Sequence, residues 1–418
     1  MKRVYFFLAI LGGLLSISGC SDLPVKLNEL TGTPKQFLSR QIIVTLSEDR
    51  RNEWQRINQE ILDRFDVQME GEFPLTSIRV NCLVYRVSEL VDIDEVMRRL
   101  RADSRIELVQ TNQVFAGLQG RTSNAHDASS YGMLSYGPKI IHADLAHHTV
   151  TGKGVSVAVV DTGADKDHPD LQGRVAVTEN FVQGGNASFA DDLHGTAVAG
   201  VIAARTDDGS GIDGIAPDAK IDIFKACWYT DKSNGKALCS SWTLAKALDA
   251  AIKSDSRIIN LSLGGPDDAL LKKLLVTADQ HHIVLVAAAL ENSPEPGFPA
   301  SLDFVIPVIS ADLNGDTTHP SWTTQQAVIA APGIEILTTA PHQGYDFLSG
   351  SSLAAAHVSG VVALMLQRQP KLDPAEVRSL LQQTGRMKAA SPNQTRQSFV
   401  MVDACRAVAA LGATLDCP

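Results

Sequence analysis

Aromatic residues make up only 6% of this 418-residue chain, against 44% hydrophobic residues overall. Its interior must therefore be packed mainly on Ala, Val, Ile and Leu. A basic excess is also missing. The formal net charge is −10 with acidic residues spread along the chain, so neither nucleic acid nor an anionic membrane surface is an expected partner. Apart from one short run near the start, no segment approaches the roughly 20 apolar residues that a membrane-spanning helix needs. Internal repeats and low-complexity tracts are absent as well. What remains is length enough for one large domain and one small one.

The short apolar run, 6–17, follows the basic start Met1-Lys2-Arg3 and is too short for a permanent membrane helix. Ile17-Ser18-Gly19-Cys20 resembles a bacterial lipobox. That resemblance implies a signal peptide over 1–19, lipidation of Cys20, and a tether over 20–38 that holds an exported protein to a membrane. Ser21 directs it toward the outer membrane or the periplasmic face. Export into an oxidising compartment gives the remaining cysteines a use. Cys227 and Cys239 bracket a polar stretch with Asp231, Lys232, Asn234 and Gly235, and Cys405 and Cys417 bracket the tail, 401–418. Each pair reads as a disulfide closing a short loop; the alternative is free buried thiols. Cys82 is left over.

Residues 42–46 read as a strand, and 50–67 as an amphipathic helix with Trp54, Ile57, Ile61, Leu62 and Phe65 on one face. A strand at 82–87, a helix at 91–100 and a strand at 106–110 complete a small α+β unit. Residues 116–135, with Gly117, Gly120, Ser123, Asn124, Ser129 and Ser130, read as an exposed linker that tolerates cleavage. Beyond it, apolar strands at 155–160, 221–225, 258–263, 283–289, 305–309 and 327–331 alternate with helices near 194–204, 241–253, 268–281, 352–367 and 374–384. This pattern predicts an α/β fold, a mostly parallel sheet with helices on both faces. In such sheets ligands collect at the carboxyl ends of the strands.

Three segments carry chemistry. Asp161 ends the apolar run Val157-Ala158-Val159-Val160, His194 opens the small-residue helix His194-Gly195-Thr196-Ala197, and Ser352 follows Gly350-Ser351 at the mouth of an apolar helix. A serine there lies near free backbone N–H groups and the positive end of the helix dipole, which suits a developing oxyanion. Singly, Ser352 could be a helix cap, His194 a core histidine, and Asp161-Thr162-Gly163 a loop of an aspartic peptidase. The last needs a second such loop or a homodimer, and leaves His194 and Ser352 unexplained. Together the order Asp, His, Ser is that of the subtilisin triad. With Gly214-Ile215-Ala216-Pro217, Ile259-Asn260-Leu261-Ser262-Leu263-Gly264-Gly265-Pro266 and Ala330-Ala331-Pro332-Gly333 in sequence, the chain resembles the subtilisin-like serine peptidase family over about residues 136–390.

The resemblance implies a serine endopeptidase acting on polypeptides, with Ser352 as nucleophile, His194 as general base and then acid, and Asp161 as the orienting carboxylate. Ser262, Leu263 and Gly264 become the strand that pairs with extended substrate. The domain at 136–400 is then catalytic. The unit at 39–115 resembles the family's inhibitory propeptide, its tail Gln113-Val114-Phe115 threading the site; an unrelated accessory domain is the alternative. A cut after residue 115 would part the catalytic domain from the lipid. No cofactor is required. Calcium is admitted at Asp170, in His168-Pro169-Asp170-Leu171, and at Asp207, although an acidic solvated loop is the commoner explanation of such residues.

One position departs from the family. Where its pattern is Ala-Ala-Ala-Gly-Asn, with the asparagine donating to the oxyanion, this chain reads Ala287-Ala288-Ala289-Leu290-Glu291-Asn292. Losing such a side-chain donor costs about 10²–10³ in turnover. Three outcomes stay open: Asn292 donates after a one-residue shift, Glu291 donates as a neutral acid, or catalysis is weak. The last makes the chain a pseudopeptidase, a peptide-binding protein that keeps the groove.

Overall fold

The computed structural model describes residues 38, 40–118, 120–121, 135–182, 189–205, 211–230, 237–317, 322, 327–387 and 399–418. Cys20 and the segments read as signal peptide and tether lie outside them, as does Asp207. Among the described residues no helix is long and apolar enough to cross a membrane.

The small unit comprises β1 (Gln41–Ser47), α1 (Trp54–Arg64), β2 (Val67–Leu75), β3 (Val80–Val87), α2 (Ile93–Arg101) and β4 (Ile106–Thr111). Its sheet is antiparallel, in the order β2-β3-β1-β4. β1 is largely apolar, with Ile42, Ile43, Val44 and Leu46 interrupted only by a buried Thr45, because both its faces are covered. Ile42, Val44 and Leu46 pack with Ile57, Ile61, Val96, Met97 and Leu100 of the unit's own helices. Ile43 points the other way, with Cys82 and Val84 of β3, into the core of the large unit. Alternate residues of a strand face opposite sides, so the sheet buries both.

The sequence reading differs here in two places. The first helix ends at Arg64 rather than Val67, because Phe65 turns to extended backbone (φ −124°, ψ 146°). β2 is an additional strand. It carries Glu70, Gly71, Glu72 and Pro74 at a half-exposed sheet edge with a bulge between Met69 and Gly71, so it lacks the apolar run by which buried strands are read.

The large unit is built on nine strands. In sheet order these are β19 (Arg386–Met387), β20 (Val400–Met401), β16 (Ile329–Pro332), β15 (Ile306–Ala311), β14 (Val284–Ala288), β12 (Ile258–Leu261), β7 (Ser156–Asp161), β9 (Lys220–Lys225) and β8 (Val175–Asn180). All neighbours run parallel except β19 with β20. Helices α3 (Leu193–Ala203), α4 (Ser241–Lys253), α5 (Ala269–Gln280), α6 (Ser351–Arg368) and α7 (Pro374–Thr384) cover it, and α8 (Ala404–Ala409) closes the chain. Every residue of α6 from Ser351 to Leu366 is buried, which explains why its sequence is apolar all round rather than striped. From β7 the chain moves one way to β8 and β9 and then back across to β12. Asp161 at the carboxyl end of β7 therefore sits at the topological switch, where open α/β sheets place their sites.

Two further strand pairs and one short strand lie over that edge. β10 (Cys227–Tyr229) and β11 (Ala237–Ser240) form a hairpin, β13 (Leu263–Gly264) follows β12, and β17 (Ile336–Ala340) and β18 (Gly344–Ser349) lead into α6. Into them runs the chain leaving the small unit, as β5 (Val114–Gly117) and β6 (Gly120–Arg121). Residues 116–118, 120 and 121 are therefore not exposed linker. Gly117 and Gly120, read as linker glycines, belong to strands inside the groove.

Candidate active site

Asp161, His194 and Ser352 are brought together in the interior, each 2% exposed or less. His194 Nδ1 lies 2.6 Å from Asp161 Oδ1, and His194 Nε2 lies 3.1 Å from Ser352 Oγ. The carboxylate also accepts the Thr162 N–H at 2.6 Å, which holds it against rotation. The Ser352 hydroxyl has a second acceptor, the Ser262 carbonyl at 3.1 Å. Two glycines make these approaches possible. Gly350, at φ 153° and ψ 155°, turns β18 into α6 through backbone that only glycine adopts comfortably. Gly195 lets α3 close on the end of β7, since a Cβ there would lie 2.4 Å from the Gly163 carbonyl oxygen.

The chain itself occupies the groove. β5 lies between β11 and β13, antiparallel to both, with Phe115 opposite Cys239 and Gly117 opposite Leu263. The Leu118 N–H donates to the Ser262 carbonyl, and the Leu118 carbonyl accepts the Ser352 N–H, both at 3.3 Å. Beyond it, Gly120 and Arg121 pair with Ser349 and Leu348. Phe115 is 1% exposed, its ring centroid 6.1 Å from that of Phe298, and Gly265 leaves the room for it: a Cβ there would meet the ring at 2.3 Å. Leu118 packs against Gly264. Gly117 lies beside His194: a Cβ there would sit in ordinary contact, 3.6 Å from His194 Nε2.

At the departing position, Glu291 Oε1 accepts the Ser310 N–H on β15. Asn292 is exposed. The donor that reaches the Leu118 carbonyl is the backbone N–H of Ser352.

Asp170 Oδ1 accepts the Tyr345 hydroxyl at 2.9 Å and its Oδ2 the Ile212 N–H at 3.0 Å; the loop of Asp207, read with it as a calcium site, lies outside the described residues. Among the described residues no group of three or more His, Cys, Asp or Glu could hold a metal. His147 is half-buried, with Nε2 2.9 Å from the Ile215 carbonyl. The cysteines pair as Cys227–Cys239 and Cys405–Cys417, and Cys82 is a buried thiol.

Sequence reasoning missed three residues around the triad. Lys225, opposite Asp161 in the β7–β9 register, forms a buried ion pair with Asp192, which also accepts the Gly163 N–H at 2.8 Å. Tyr229 Oη accepts the His194 N–H at 2.8 Å. One signal was available: a lone lysine after Ile221-Asp222-Ile223-Phe224 ends a strand read as buried, and buried lysines need a partner.

A mostly parallel sheet with a carboxylate, a histidine and a serine at its carboxyl edge defines a serine-type endopeptidase of subtilisin-like fold. Residues 152–400 match the subtilase family, and the chain belongs to it. It is 31% identical over 307 residues to a thermophilic serine proteinase from Bacillus sp. (strain AK1), covering 72% of each chain. It is 34% identical to thermitase from Thermoactinomyces vulgaris over 55% of this chain and 81% of that one. Among solved structures it is similar to fervidolysin from Fervidobacterium pennivorans, described as a keratinolytic enzyme related to subtilisin. That match has a TM-score of 0.69 and 25% identity, over 88% of this chain and 60% of that one.

Proposed function

We propose that the chain is the precursor of an exported serine endopeptidase that cuts itself after Leu118, with residues 39–118 as its inhibitory propeptide. One observation carries this reading: the chain's own Leu118 carbonyl accepts the Ser352 N–H while β5 is held between two edge strands. His194 takes the Ser352 proton as Oγ adds to the Leu118 carbonyl carbon, and Asp161 holds the imidazole tautomer and stabilises its charged form. The Ser352 N–H stabilises the oxyanion. His194 then gives its proton to the departing amine, and water repeats the sequence on the acyl-enzyme. Glu291 is engaged as an acceptor by Ser310, so side-chain donation in the oxyanion hole is assigned to its neighbour Asn292.

The cut falls three residues beyond the boundary the sequence suggested, since 116–118 pair as substrate does. Other polypeptides bind by the same strand addition, and Phe115 and Leu118 mark the preference: an apolar residue before the scissile bond and an aromatic one three residues further back. Cys20 carries the lipid anchor, so the cut frees the catalytic domain from the membrane-held propeptide. The test is intact mass of the purified protein beside Ser352→Ala, each exposed to a serine-reactive fluorophosphonate. Wild type is expected to split after Leu118 and take the label, with a catalytic fragment free of lipid, while Ser352→Ala does neither. If both stay full-length and unlabelled, the peptide-binding reading replaces this one.

A further inference from the structure

Asp192 stands at the N-cap of α3 but does not cap it, its carboxylate being engaged by the Gly163 N–H and by Lys225. The first turn of a helix leaves its N–H groups without partners, and one of these belongs to His194. It is satisfied from outside the helix, by Tyr229 Oη at 2.8 Å. Burial raises the Tyr229 pKa, so the hydroxyl stays neutral.

Tyr229 is the last residue of β10. Two residues earlier, Cys227 is bonded to Cys239, its partner across the hairpin, and Cys239 in turn stands opposite Phe115 of the bound strand. A continuous path thus runs from Phe115 to Cys239, through the disulfide to Cys227, and along two residues to Tyr229 and the His194 backbone. Of the pair, only β11 touches β5; β10 is the sheet's outer edge. When β5 is withdrawn, β10 and β11 are left as two strands, and an isolated two-stranded hairpin is only marginally stable in water. Cys227, Ala237 and Cys239 are anchored in the main core; the disulfide ties the two strands to each other and Tyr229 ties β10 to the start of α3.

We propose that the β10–β11 hairpin is a positioning element, in which Tyr229 fixes His194 and the Cys227–Cys239 bond keeps the substrate-pairing edge formed before substrate arrives. This rests on His194 being the general base. Losing the acceptor leaves the His194 N–H unsatisfied and lets the imidazole drift from Ser352, which slows the chemistry without removing a substrate contact. Losing the disulfide loosens the edge and acts first on binding.

The test uses the mature enzyme processed from the full chain and a p-nitroanilide of the peptide Phe-Ala-Gly-Leu, with kcat and KM measured well below Tm. Tyr229→Phe is expected to lower kcat about ten-fold with KM within about two-fold. The paired substitution Cys227→Ser with Cys239→Ser is expected to raise KM by about ten-fold. An unchanged kcat in Tyr229→Phe overturns the proposal. Should that variant not fold, an unchanged KM in the cysteine pair overturns it instead. His194→Ala, cut after Leu118 by added wild-type enzyme and repurified, runs alongside: if it is inactive while Tyr229→Phe matches wild type, only this inference falls, whereas turnover surviving in His194→Ala removes the triad assignment as well.

Discussion

At the scale of single residues, the surroundings of the triad matter as much as its members. Lys225 and Asp192 are both about 2% exposed or less at the side chain, and they join the end of β9 to the start of the helix that carries His194. Removing one partner of a buried pair strands the other charge, which costs about 3–5 kcal/mol. Lys225→Met is therefore expected to lower the Tm of the inactive Ser352→Ala precursor far more than Lys166→Met, whose exposed pair with Asp167 is worth at most about 1 kcal/mol. Equal Tm values would mean that the pair contributes nothing. The oxyanion position offers a second comparison. With Asn292 as the donor, Asn292→Ala is expected to lower kcat by about 10²–10³, and Glu291→Ala by much less; the reverse order would assign donation to Glu291. The meeting of Asp161, His194 and Ser352 was legible in sequence because each of the three sits in a short local pattern. Tyr229 and Lys225 were not, because their roles come from strands brought beside α3 by tertiary folding.

At the scale of elements, legibility followed burial. Helix α4, Ser241–Lys253, and helix α7, Pro374–Thr384, have the limits their sequences suggest, since both begin with a capping box, Ser240 with Thr243 and Asp373 with Glu376. β2 was missed because an edge strand with charges on it does not look like a strand, and β5 and β6 because glycines that fit a substrate groove look like linker glycines. The tail is a different case. α8 and its following residues are fastened by Cys405–Cys417, 12 residues apart in sequence, and by Arg406 to the Pro418 carbonyl at 2.7 Å. A loop of that length stabilises by about 3 kcal/mol on the chain-entropy account. Cys405→Ser with Cys417→Ser is expected to lower Tm while leaving kcat and KM alone, because the tail lies away from the groove. A change in KM would tie the tail to substrate binding.

At the scale of the whole molecule, the small unit docks by completing the large one. The Ser77 N–H and hydroxyl both donate to Asp249 on α4, at 2.7 and 2.6 Å. Near the start of the same helix, Trp242 N–H donates to Asn112 at 3.1 Å, and Ser241 Oγ accepts the Gln113 N–H at 2.8 Å. At the start of α5, Gln110 accepts the Leu270 N–H at 3.0 Å and donates to Asp268 at 2.8 Å. Helix ends left without partners by their own sequence are thus satisfied by the propeptide-like unit. Phe73 meets Trp242 edge to face, with centroids 6.3 Å apart. Beside that contact lies Lys246, 5% exposed, with Nζ 4.8 Å from the Trp242 ring centroid and 2.9 Å from the Phe181 carbonyl. Burial pushes its pKa down from 10.5 to about 8. Between those two values the unfolded chain holds a proton that the folded one has released, so unfolding takes up a proton and stability rises with pH. The gain is complete above the ordinary lysine value and is lost as pH falls through about 8. In a Ser352→Ala background, used to guard against self-digestion under the proposed function, Lys246→Met should remove that slope, its Tm advantage being greatest at pH 7.5 and smallest at pH 10.5. Parallel Tm curves for the two proteins across that range would show that Lys246 keeps its proton in the folded precursor.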